Sequence, residues 1–294
     1  MQDFKGRVAV ITGAGSGFGR EFARIGHRLG MRLALADIQS DALAETAEEL
    51  RRAGAHVMTG VVDVADSDQV KSFADRTFAE YGAAHLLFNN AGVGGGGFLW
   101  ESDERDWQWV LGVNLMGVVH GIRHFVPRMI EANARGEPGH IVNTASIAGL
   151  LCPPLMGVYN VSKHAVVALT ETLFHDLALV RSTIGVSVLC PAFVPTGIAQ
   201  SHRNRPTELA SNLPPTASQR MAQANIEKAV SSGKRTAEEV AQLTFDAIRG
   251  NRFYVFTHPK IMTAVEARLA SIAAGGIPAD PYASNPATRP TGNA

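Results

Sequence analysis

Cysteine is nearly absent: two among 294 residues, Cys152 and Cys190. Two thiols cannot staple a framework, so a disulfide scaffold is excluded and a reducing, cytoplasmic setting is expected. An excess of one charge is also missing, with 27 Lys and Arg against 27 Asp and Glu. A nucleic-acid binder would carry a basic surplus or stripe, and neither is visible. No apolar run approaches a membrane span. The opening Met1-Gln2-Asp3-Phe4-Lys5-Gly6 predicts no secretory leader, because the first apolar run, Val8 to Ile11, is short and ends in glycines. Charged residues are few at 18%, while hydrophobic residues reach 46%, so a sizeable core is expected.

What the chain does have is alternation. Arg7 to Thr12 is a β-branched run without a polar face, as in a strand buried on both sides. A glycine cluster follows, then a helical stretch to about Leu29 with Phe22, Ile25 and Leu29 on one face. Strand Arg32 to Asp37, helix Asp41 to Ala53, strand His56 to Val62, helix Ser67 to Tyr81 and strand His85 to Phe88 continue the cycle. A helical region from Asp103 to Ala134 is expected to break near Asn114 and Pro127. Strand His140 to Thr144, helix Val158 to Val180, strand Gly185 to Leu189, helix Ala237 to Arg249 and strand Arg252 to Phe256 complete it. The pattern predicts an α/β fold with a doubly wound, seven-stranded parallel sheet. Gly197 to about 235 reads as a polar, proline-bearing loop that serves as a lid. Gly275 to Ala294 reads as a flexible tail on a single domain of residues 1–274.

Two constellations carry chemistry. The cluster Gly13-Ala14-Gly15-Ser16-Gly17-Phe18-Gly19 sits between a strand and a helix. Small residues there admit a pyrophosphate to the backbone, and the helix N-terminus favours its charge. Asp37 ends the second strand, where a carboxylate can accept hydrogen bonds from ribose hydroxyls. Ile38 follows it, so no guanidinium is offered to a 2′-phosphate, and NAD is expected over NADP. Tyr159 and Lys163 stand four apart on a helix and so share a face. An ammonium beside the phenol is expected to lower its pKa from about 10. Ser146 lies just past a strand end, facing the crevice where open α/β sheets bind ligands.

With these motifs the chain resembles the short-chain dehydrogenases/reductases, over about Lys5 to Thr257. In order it carries Thr12-Gly13-x-x-x-Gly17-x-Gly19, Asp63-Val64, Asn89-Asn90-Ala91-Gly92, Asn114, Ser146, Tyr159-x-x-x-Lys163 and Pro191 to Thr196. The resemblance implies a Rossmann-type fold. It also implies NAD-dependent interconversion of a secondary alcohol and a ketone, with Tyr159 as proton donor or base. Lys163 would bind the nicotinamide ribose, Ser146 the substrate oxygen, and Asn114 a water in a proton relay. Asp63 and Val64 would meet the adenine. Asn90, Ala91 and Gly92 would line the adenosine side. Pro191, Val194 and Thr196 would lie against the carboxamide. Ala192 stands where the family often has Gly, and Phe18 where it often has Ile or Leu. The family pairs long helices into a homodimer or homotetramer; Val166, Val167, Leu169, Leu173 and Leu177 give α-helical surface for that. The segment with Thr196-Gly197-Ile198 and Asn204-Arg205-Pro206 resembles bacterial dehydrogenases of lignin-type aryl ethers, so an apolar, aromatic or alicyclic substrate is expected. A non-catalytic nucleotide sensor or scaffold on the same fold is the alternative.

The remaining candidates read more plainly. His120 and His124 have metal-pair spacing but no accompanying Glu, so they read as packing histidines and no metal is expected. Cys190 reads as a core residue, and Cys152, in the loop after Ser146, as a lining of the substrate site with no base to activate it. Gly94 to Gly97 is either a surface turn or room for a bulky substrate. Of Trp107 and Trp109, at most one faces the core.

Overall fold

A computed structural model describes residues 1–211, 213–283, 286 and 289. Positions 284–285, 287–288 and 290–294 of the expected tail, and position 212 of the expected lid, lie outside the described residues. The described start of the tail, Gly275 to Pro278, is exposed.

Seven parallel strands form one sheet: β1 (Val8–Thr12), β2 (Arg32–Asp37), β3 (Val57–Val61), β4 (Leu86–Asn89), β5 (His140–Thr144), β6 (Gly185–Cys190) and β7 (Tyr254–Phe256). Their order is β3-β2-β1-β4-β5-β6-β7. The chain therefore reverses direction across the sheet between β3 and β4, and a crevice opens outside β1 and β4. β1 has no exposed residue, and Val10 pairs with Ala34 on one side and Leu87 on the other. Burial on both faces explains the absence of alternation in its sequence.

Helices cover both faces. On one, α1 (Gly17–Arg28) and α8 (Ala237–Arg249) enclose Phe22, Phe88 and Phe245; Phe22 stacks on Phe88 with centroids 4.3 Å apart. On the other, α3 (Ser67–Tyr81), α5 (Gly117–Ala134) and α6 (Gly157–Leu179) cover the sheet through Phe73, Phe125, Met129 and Leu177. Helix α2 (Ser40–Arg52) flanks β2, and α4 (Glu104–Leu111) precedes α5. Trp109 is buried and Trp107 half-buried.

The helical stretch before β5 departs from the expected double break. Near Asn114 the chain does not break; it widens into a π-turn, Gly112–Met116, with the Gly117 N–H donating to the Gly112 carbonyl. Pro127 lies inside α5 without ending it. The segment after Gly197 is also not all loop. It holds a short 3-10 turn, Gly197–Asn204, and a helix, α7 (Ala217–Ser231). The α7 signal was present: Thr216 and Gln219 make a capping box, and Ala222, Ile226 and Val230 recur every fourth residue. A last helix, α9 (Met262–Ala273), lies beyond the final expected strand and packs Ala264 and Val265 on Ile147 and Leu151.

Candidate active site

The site sits where the topology puts a crevice. A cavity of about 510 Å³ opens at the C-terminal ends of β1, β2, β4, β5 and β6 and is roofed by the segment after Gly197. Of the catalytic and cofactor-binding residues expected from the sequence, all but Gly19 and Asn114 line it.

The glycine turn follows β1. Gly13 has φ +67°, and a Cβ there would meet Ala91 Cα at 2.9 Å; a Cβ on Gly19 would strike the Gly13 carbonyl oxygen at 2.0 Å. Gly19 thus serves the turn from behind. Ser16 precedes α1 but its hydroxyl does not cap the helix, so both the hydroxyl and the first-turn N–H groups stay available. The Asp37 carboxylate accepts from the Gly15 N–H at 2.8 Å and the Gln39 N–H at 2.9 Å. That fixes it at the tip of β2, beside the glycine turn.

Asn90 ties three strand ends together. Its Nδ2 donates to the Thr12 carbonyl at 3.0 Å, and its Oδ1 accepts from the Thr144 hydroxyl. The Thr12 hydroxyl in turn accepts from the N–H groups of Asn90 and Ala91.

Lys163 and Tyr159 come from α6. Lys163 Nζ is buried and donates to the Thr144 carbonyl at 3.0 Å, which leaves further protons unused. It lies 5.6 Å from the Tyr159 ring centroid, so the two share a face as their spacing requires. Burial pulls the ammonium down to about 8. Burial also pushes the Tyr159 phenol above its ordinary range, with Ser146 opposing. The phenol is therefore not lowered here, contrary to expectation: desolvation outweighs the Ser146 hydrogen bond. The Ser146 hydroxyl accepts from the Ala148 N–H at 3.1 Å and donates to the Pro191 carbonyl at 3.3 Å.

Asn114 is fully buried and its carboxamide is engaged. Oδ1 accepts from the Val93 N–H at 2.8 Å; Nδ2 donates to the Val93 carbonyl at 3.0 Å and to Ser162 Oγ at 3.1 Å. It binds the end of the Asn90–Gly92 turn to α6, behind Lys163.

Gly94 to Gly97 does neither thing expected of it. A Cβ on Gly96 would stand 2.7 Å from Ala222, and one on Gly97 2.8 Å from Gln219, so these glycines let α7 lie down on the loop. The Glu101 carboxylate locks the contact, accepting from Thr216 at 2.5 Å and Ser218 at 2.6 Å. Cys152 does not line the cavity; it is exposed, 3.8 Å from His164 Nε2. Cys190 is buried beneath the site. His120 donates to the Val64 carbonyl, and His124 meets Ser67, both packing contacts. Gln39 was not marked in the sequence, Trp109 only as a core candidate, and Arg203 and Leu209 only within the lid segment, yet all four line the cavity. Long-range approach put them there, and no local pattern marks it.

Comparison with known proteins agrees with this geometry. Residues 7–207 match the family described as short chain dehydrogenase. The chain belongs to the short-chain dehydrogenases/reductases. As a member of that family it is 34% identical to a CLA biosynthesis dehydrogenase/reductase of Lactiplantibacillus plantarum over 283 residues, 95% of this chain and 97% of the relative. It is 31% identical to a C alpha-dehydrogenase of Sphingobium over 273 residues, 92% of this chain and 87% of the other. Among solved structures, a short-chain dehydrogenase/reductase of Burkholderia phymatum in complex with NAD superposes with a TM-score of 0.93 at 56% identity, covering 95% of this chain and 99% of that one.

Proposed function

We propose that this dehydrogenase/reductase interconverts a secondary alcohol and a ketone with NAD, Tyr159 moving the proton. One observation carries the reading: Ser146, Tyr159 and Lys163 line the same cavity as the glycine turn and Asp37. The NAD held by the Burkholderia relative supports the choice of cofactor. The fit is supported here too, because a Cβ at Gly13 would close the turn and the Ser16 hydroxyl is uncommitted. Asp37 would take the adenosine ribose and repel a 2′-phosphate. Arg20, tied to the Gly15 carbonyl at 2.7 Å, does not line the cavity to relieve that repulsion. Asp63, Val64 and Ala91 would flank the adenine, and Pro191, Val194 and Thr196 the carboxamide.

When bound, the nicotinamide supplies or accepts the hydride. The chain's own residues do the rest. Ser146 would orient the substrate oxygen by a hydrogen bond. Tyr159 would give its proton to that oxygen during reduction and take it back during oxidation. Lys163, with protons left after Thr144, would hold the ribose and favour the phenolate. Asn114 would keep the Asn90–Gly92 turn in register with α6. Pro153, Met156, Phe193, Ile198 and Ile226 line the outer cavity, which favours an apolar, aromatic or alicyclic substrate. The test is to mix purified protein with NAD and a panel of secondary alcohols and follow absorbance of reduced cofactor. Turnover of apolar alcohols, with NAD preferred to NADP, is expected. Tight NAD binding without turnover of any member would favour the sensing alternative.

A further inference from the structure

Six charged residues line the cavity. Four are acids: Asp37, Asp63, Asp66 and Glu208. The two cations are Lys163, at the deep end under Gly92, and Arg203, on the roof. A diphosphate placed over the glycine turn would carry about two negative charges with only helix N–H groups and dipole beneath it. Lys163 is committed to Thr144 and the catalytic wall. Arg203 is held through one nitrogen alone. Its Nη1 donates to the carbonyls of Gly197 at 3.1 Å and Gln200 at 2.8 Å, which fixes the guanidinium's plane. Among the described residues its Nη2 and Nε have no acceptor, and no carboxylate pairs with it.

Its position is set by close approaches. A Cβ on Gly17, the first residue of α1, would lie 3.3 Å from Thr196. A Cβ on Gly197 would lie 3.0 Å from Arg203 Nη2. The guanidinium therefore rests on the backbone next to the residue that touches the glycine turn. Its neighbours in sequence hold it there from both sides of the cleft. Asn204 accepts from Gln39 on the β2 rim. Arg205 pairs with Asp106 of α4 at 2.6 Å and lies over Trp109.

Resting on the dinucleotide reading above, we propose that Arg203 is a ligand of the cofactor's diphosphate, carried on the lid, so that lid closure and cofactor binding stabilise one another. The two free donor nitrogens match the geometry by which a guanidinium takes a phosphate in two parallel hydrogen bonds.

The test needs no turnover. ADP-ribose and its 2′-phosphorylated form are titrated calorimetrically into wild type, Arg203→Ala, Arg203→Lys and Arg220→Ala. Arg220 is a second lid arginine, and it lies outside the cavity. Losing charge-assisted hydrogen bonds should weaken ADP-ribose about tenfold or more in Arg203→Ala. Arg203→Lys should recover part of that, and Arg220→Ala should match wild type. Both ligands should lose by the same factor, and the melting temperature of Arg203→Ala should stay within the wild-type range. Equal ADP-ribose affinity in Arg203→Ala and wild type would overturn the proposal. So would a loss confined to the 2′-phosphorylated ligand, which would place Arg203 at the ribose, or an equal loss in Arg220→Ala, which would make the effect one of general charge. If wild type binds neither ligand, the dinucleotide reading itself fails.

Discussion

Tyr159 and Lys163 are only four residues apart, yet their expected losses differ in kind. Tyr159→Phe removes the transferable proton and keeps the ring, so turnover should fall by about 10²–10⁴-fold. NAD affinity should stay near wild type, because the phenol contributes no binding to the turn or to Asp37. Lys163→Ala should lower turnover and NAD affinity together, since the roles proposed for the ammonium concern both proton and ribose. Calorimetric NAD titration beside steady-state rates separates the two. Alcohol oxidation should rise with pH, because the base form of Tyr159 is the one that accepts the proton. At this scale the sequence was unusually legible: Ser146, Tyr159, Lys163, Asp37 and Gly13 were all named from pattern and resemblance, and all face one cavity. Two things were not legible. Burial pushes the Tyr159 phenol up rather than down, and desolvation depends on neighbours brought in from β5, β6 and the lid. Arg203 has no motif around it and enters the site only because the lid folds back.

The lid shows how one element depends on another. Its prolines suggested loop, while the capping box at Thr216 and Gln219 marked helix α7, and the box was correct. The glycines at 94–97 are intelligible only with α7 lying on them. Gly96→Ala should therefore act at a distance. The added methyl would stand 2.7 Å from Ala222 and 2.8 Å from the Leu155 carbonyl, neither a flexible tip. Overpacking of this kind costs about 1–3 kcal/mol. α7 should lift, the KM for the alcohol should rise, and protease cleavage between α7 and α8 should speed up. Unchanged KM and cleavage would mean that α7 does not close the cavity. The π-turn at Gly112–Met116 belongs to the same scale. Periodicity registered a disturbance near Asn114; the helix absorbed it by widening, so that Asn114 could reach Val93 and Ser162 while α4 and α5 stayed continuous.

For the molecule as a whole, stability should depend on acid through a histidine far from the chemistry. His140 lies in β5, fully buried, with Nε2 at 2.8 Å from Ser187 Oγ. Ser187 donates its own proton to the Arg252 carbonyl, so the imidazole must be the donor at Nε2, and among the described residues Nδ1 has no partner. Burial pulls its pKa down to about 3. The unfolded chain binds a proton near pH 6.5 and the folded one does not, so stability falls as pH drops from about 6.5 toward 3. Between pH 7 and pH 5 the loss should be about 2 kcal/mol from this residue. Urea unfolding at the two pH values measures it, and a His140→Gln variant should show a shallower dependence. Assembly belongs here as well. Of Val166, Val167, Leu169, Leu173 and Leu177, offered in the sequence as surplus apolar surface, all are buried within the chain itself except Leu169, which is half-buried. The exposed apolar residues of the α6 region are instead Val161, Phe174, Leu179 and Val180. We propose that these cover a partner copy in a homodimer or homotetramer; light scattering at micromolar concentration should show no monomer, and Phe174→Glu should release one.

The order of strands and helices, the parallel sheet and the positions of the proposed catalytic groups follow from local signals. β-branched runs, helical periodicity, glycine turns and residue spacing act over a few residues, and each leaves its mark in the chain. Other features exist only once distant segments meet. The docking of α7 on Gly96, the placing of Arg203 in the cavity wall, the Arg205–Asp106 clasp and the shifted pKa values of Tyr159 and His140 are of this kind. They depend on close packing and on removal of water, and both are properties of the assembled fold that no single stretch of sequence contains.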